Sequence, residues 1–86
     1  MPTVEEIKAS LAASVGETDQ ATHAIRGVID RLDDALARLR LTAAGTVHPA
    51  LTDAIARLEQ AKVRLDEART LARAAIDAAN TYRSTM

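Results

Sequence analysis

This chain predicts an all-α fold, an antiparallel two-helix hairpin of coiled-coil-like character, and three observations carry that expectation. Apolar residues recur in a heptad phase, one column reading Val4, Leu11, Thr18, Ile25, Leu32 and Leu39. Three residues on from each come Ile7, Ser14, Ala21, Val28, Ala35 and Thr42, and a flanking column carries Val15, Ile29, Leu36 and Ala43. After a single break near Gly45 the pattern resumes as Leu51, Ala54/Ile55, Leu58, Ala61, Leu65, Ala68, Ala72, Ala75/Ile76, Ala79 and Tyr82. Apolar side chains at this spacing form one stripe along a helix, and that stripe has to be buried against something.

The first helix is expected over about residues 4–43. Thr3-Val4-Glu5-Glu6 reads as a capping box, in which the Thr3 hydroxyl accepts from the Glu6 N–H and the carboxylate reaches back. Glu5 and Glu6 also stand where the helix dipole favours negative charge. Gly16 and Gly27 weaken the helix by roughly 1 kcal/mol each relative to Ala, and both fall on its outer face. Ser14-Val15-Gly16-Glu17 resembles a second capping box, but the apolar phase passes through Gly16 without a slip. The reading is one continuous helix.

Thr42-Ala43-Ala44-Gly45 closes that helix, with Gly45 expected in the left-handed conformation of a C-terminal cap. His48-Pro49 starts the next, since proline suits the first helical turn and pushes its predecessor out of helical geometry. A turn over about 44–48 is short enough to make the helices antiparallel neighbours. The second helix is expected over about 49–83, and residues 1–86 form a single domain. Opposite charges should meet along the seam, with Glu5, Glu6, Glu17 and Asp19 beside Arg69, Arg73 and Arg83. Within helices, Asp34–Arg38, Asp53–Arg57 and Lys62–Asp66 stand at the spacing of stabilising pairs.

Composition says why such a hairpin needs company. The chain is 48% hydrophobic, yet Phe and Trp are absent and Tyr82 is the sole aromatic. Much of that fraction is alanine, whose methyl removes little surface from water. Small scaffolds rely on disulfides, a metal or a second subunit, and the absence of cysteine leaves the last. The expectation is dimerisation into a four-helix bundle, or joining a partner's helices. The second helix is nearly all alanine at its C-terminal core positions, which gives either a closely packed seam or a shallow groove for a partner's larger side chains.

A formal charge of −1 argues against nucleic acid and anionic membrane as main partners. The N-terminus is acidic and has no apolar signal-peptide core. A cytoplasmic protein is expected, and any export would follow a route independent of a signal peptide. His23 and His48 lie about 35 Å apart along the chain's helices and cannot share a metal. The adjacent carboxylates Glu5/Glu6, Asp33/Asp34 and Asp66/Glu67 point to different faces. No phosphate loop, activated nucleophile or Glu-x-x-His pattern is present. No catalytic, metal or cofactor-binding residues are assigned, and no enzyme is expected. Arginines at 26, 31, 38, 40, 57 and 64 are interleaved with acids, with no exposed aromatic cluster for base stacking.

A hairpin of this length with a mid-chain Gly turn resembles the small substrates and partners of actinobacterial type VII (ESX-type) secretion. That family carries a Trp-x-Gly turn and a Tyr-x-x-x-Asp/Glu signal after the second helix. Here the turn reads Ala44-Gly45-Thr46, without the Trp, and the tail reads Tyr82-Arg83-Ser84-Thr85-Met86, without the terminal acid. The resemblance implies a non-enzymatic hairpin that pairs with itself or with a larger secreted helical protein, often a toxin. The alternatives are a self-associating structural or adaptor homodimer and, from another class, a nucleic-acid-binding bundle. The interface and core residues expected are Ile25, Leu32, Leu36, Leu39, Leu51, Ile55, Leu58 and Leu65. Tyr82 is a candidate recognition signal, or else an apolar residue closing the open end.

Overall fold

The computed structural model describes residues 1–85. Two helices, α1 (Val4–Ala44) and α2 (Pro49–Ser84), fold back on each other through residues 45–48, and no strand forms among the described residues. The molecule is a rod of 63 × 19 × 14 Å. Its length is that of α1 itself, since 41 residues at 1.5 Å each span about 61 Å. The radius of gyration is 19.4 Å, against about 12 Å for a compact domain of this length.

Local chemistry sets the ends. The Thr3 hydroxyl accepts from the Glu6 N–H at 3.1 Å, one half of the expected capping box, while the Glu6 carboxylate makes no return bond among the described residues. At the other end Gly45 is not left-handed; its φ of −92° and ψ of −3° continue the right-handed turn. The amides of Gly45 and Thr46 instead donate to Thr42 and Ala43 carbonyls, each at 3.2 Å, so the helix closes in a tightened three-residue turn. His48 is extended and caps α2 through its ring, whose Nδ1 accepts from the Ala50 N–H at 3.1 Å. Pro49 follows in the first turn, where its missing N–H costs nothing.

The seam is built from a different pair of columns than the one the heptad reading favours. On α1 the inward residues are Leu11, Val15, Thr18, Thr22, Ile25, Ile29, Leu32, Leu36, Leu39 and Ala43, alternating in steps of four and three. In the neighbouring column Ser14, Ala21, Val28 and Thr42 are exposed, with Ile7 and Ala35 half-buried. α2 follows suit: its half-buried residues include Leu51, Ile55, Leu58, Lys62, Leu65, Arg69, Ala72, Ile76, Ala79 and Arg83. Ala68, Ala75 and Tyr82, expected in the stripe, are exposed. Both helices are thus rotated so that Val15, Ile29 and Leu36 on α1 and Ile55 and Ile76 on α2 enter the contact, the α2 column bringing Lys62, Arg69 and Arg83 with them.

Little is fully buried by one seam. Among the described residues only Leu36 and Thr22 are, at 1% and 2% exposure. The Thr22 hydroxyl is satisfied within its own helix, donating to the Asp19 carbonyl at 2.7 Å. The seam charges also differ from expectation. The cross-helix ion pairs are Lys62–Asp33 and Arg40–Glu59, both nearer the turn, whereas the Glu5, Glu6, Glu17 and Asp19 carboxylates meet no arginine of α2. Asp53–Arg57 forms as expected at 2.8 Å. Lys62 turns to Asp33 instead of Asp66, which takes Arg69, and Asp34–Arg38 is not closed. A lysine in the seam reaches the nearer acid across it.

Candidate interaction surface

Choosing one column for the seam leaves another outside it. On each helix the seam is flanked by two columns, and in an antiparallel pair like flanks share a side. One side is charged: Arg26, Asp33 and Arg40 of α1 face Glu59 and Asp66 of α2 across an open groove of about 580 Å³. The Arg69 side chain rises into this groove from a seam position, 19% exposed, with Nη1 donating to Asp66 at 3.4 Å. Its stem covers apolar surface while its head seeks water. The Arg69 Nε is buried without a hydrogen-bond partner.

The opposite side is apolar. It carries Ser14, Ala21, Val28, Ala35 and Thr42 of α1 beside Ala54, Ala61, Ala68, Ala75 and Tyr82 of α2, the columns one step from the seam. Val28 is 42% exposed and Tyr82 51%. Next to them stand Leu71, 72% exposed, and the exposed Ala24 and Ala78, in columns that also carry Glu17, Arg31 and Arg38 on α1 and Arg57 and Arg64 on α2. No charged residue occupies either column between Ser14 and Thr42 or between Ala54 and Tyr82. This continuous face was hidden in the sequence because its residues were assigned to the seam; the signal was the second apolar column on each helix.

Of the expected interface residues, Leu36 is buried in the seam, and Ile25, Leu32, Leu39, Leu51, Ile55, Leu58 and Leu65 line it half-buried. Tyr82 does not enter the seam at the open end; Arg83 takes that inward position. His23 lies on the surface with Nδ1 2.8 Å from the Asp19 carbonyl and 3.7 Å from its carboxylate. His48 is occupied as a cap. Among the described residues no three His, Asp or Glu side chains gather in a metal-binding group, and no helix is long and apolar enough to cross a membrane.

Six of the eleven lysines and arginines stand in ion pairs. Arg40 pairs with Glu59, Arg57 with Asp53, Arg64 with Glu67 and Arg26 with Asp30. The hydrogen bond and charge of Asp53 push the Arg57 guanidinium still further up from its ordinary pKa. Comparison with family models, with curated proteins and with solved structures finds no match for the chain.

Proposed function

We propose that this chain is a non-enzymatic protein–protein interaction module that completes a four-helix assembly by covering its apolar face with other helices. The surface area carries this reading. The chain exposes 6302 Å², whereas a compact monomer of 9.2 kDa exposes about 4,900 Å². The excess, about 1,400 Å², is more than the roughly 800 Å² each partner contributes to a standard interface. Among the described residues Leu36 is the one fully buried large side chain, so the isolated hairpin has little core to hold it.

Two kinds of partner fit, a second copy or the helices of a larger protein. The narrower, ESX-like form of the second draws support from Gly45 in the turn and from the exposed Tyr82 near the end of α2. In that form the hairpin is a partner or chaperone of a larger secreted protein.

Hydrogen exchange on the chain at nanomolar concentration tests the reading. Weak protection throughout both helices is the expected result. Cooperative protection of both helices in the isolated chain would mean that no face awaits a partner, and would sink it.

A further inference from the structure

We infer that the apolar face takes a second copy of this chain, stacked face to face with the two turns at opposite ends, and this rests on the interaction-module reading above. The ion pairs Arg40–Glu59 and Lys62–Asp33 set the hairpin's register. That register places Val28 about level with Ala68, and Ala21 about level with Ala75. A two-fold axis across the face, passing between Ala21 and Val28 on α1, therefore also passes between Ala68 and Ala75 on α2. One operation serves both helices, as a closed dimer requires.

Side-chain size agrees with that axis. It lays Val28 over the second copy's Ala21, and Tyr82 over its Ala61. Large meets small on both helices, the pattern by which facing layers interdigitate. The exposed Leu71 falls beside the axis, against its own counterpart.

Charge selects the orientation. Glu17 and Arg31 lie in one column, a heptad to either side of Ala24, and neither is within 4 Å of an opposite charge among the described residues. With the turns at opposite ends, each Glu17 meets the Arg31 of the other copy. With the turns at the same end, α1 would lie over the other copy's α2, bringing Arg31 to Arg64 and Arg38 to Arg57. Four arginine–arginine encounters oppose that alternative, and like charges across an interface discriminate strongly.

Sedimentation equilibrium on the full chain, with circular dichroism at the same concentrations, tests the inference. The wild type is expected to be a helical dimer. Val28→Glu should weaken the dimer at least 100-fold, while Gln60→Glu, the introduction of the same charge on the outer surface, should leave it within twofold. Glu17→Arg and Arg31→Glu should each weaken it about fivefold, and the double variant should restore it. A dimer indifferent to Val28→Glu, or a double variant no better than the singles, overturns the inference and leaves the broader reading standing. A loosely helical wild-type monomer does the same and points to a different protein as partner. A fully folded, stable wild-type monomer overturns both.

Discussion

Lys62 of α2 reaches across the seam to Asp33 of α1 from an inward column that it shares with Ile55, Arg69, Ile76 and Arg83. The lysine side chain is 32% exposed and the aspartate 50%, so the pair sits at the groove's edge, half in water. Such a pair gains little, because solvent screens it and two side chains must be held still. Its stem meanwhile takes the place that Ile55 and Ile76 take in the same column. Replacing Lys62 with Leu should therefore stabilise the fold, by about 1 kcal/mol from added apolar burial. A rise in the urea midpoint checks this; a fall would show that the ion pair outweighs apolar contact here.

Leu36 is the largest fully buried side chain, and Leu36→Ala removes the most contact from the seam. The expected loss is about 2–3 kcal/mol, the lower part of the Leu→Ala range, because a seam between two helices can close partly around the gap. Leu41 is 78% exposed and lies off both the seam and the apolar face. Leu41→Ala should cost less than about 0.5 kcal/mol. Urea unfolding monitored by circular dichroism separates the two.

The glycines at 16 and 27 make a simpler case. A methyl added at either meets nothing within 4 Å, and neither residue has a positive φ. Gly16→Ala and Gly27→Ala should each raise stability by about 1 kcal/mol, through reduced freedom of the unfolded chain and better helix propensity. An additive rise in melting temperature is the expected result; no change at Gly16 would mean that α1 is already frayed there.

Thr22 offers the opposite balance, a hydroxyl held in an apolar seam by a bond to its own helix. Thr22→Val removes the hydroxyl and keeps the shape, and the Asp19 carbonyl belongs to the helix ladder in either case. A gain of about 0.5–1 kcal/mol is expected. Thermal melts of the two proteins at matched concentration decide it.

His48 caps α2 with a ring nitrogen, an acceptor only while that nitrogen carries no proton. His48→Asn supplies a stronger cap from a shorter side chain and should hold or raise stability, whereas His48→Ala should lower it by about 0.5–1 kcal/mol. Hydrogen exchange at the first turn of α2 reports the change locally.

The helices, the turn and the outward glycines are legible in the sequence because each depends on neighbours within a few residues. Thr3 and Pro49 mark starts by satisfying or lacking particular amides, and the phase through Gly16 is a count along one strand of chain. The charged seam was misplaced for the converse reason. Pairing Arg69, Arg73 and Arg83 with the acids of α1's first turns assumed that these side chains point at each other. In the structure Arg69 leans toward Asp66, and Arg83 donates to Asn80 at 3.1 Å.

What periodicity left open was the rotation of each helix about its own axis. Leu11, Ile25, Leu32 and Leu39 are inward under either choice, but the second column to join them was undetermined, since both candidates are mostly apolar. Only the two helices packed together settle that, by burying Val15, Ile29 and Leu36 against Ile55 and Ile76. The long stems of Lys62, Arg69 and Arg83 lie along the seam while their terminal nitrogens reach Asp33, Asp66 and Asn80 at its edge. That rotation turned Ala21, Ala68, Ala75, Val28 and Tyr82 outward, and with them came the face on which the proposed function rests.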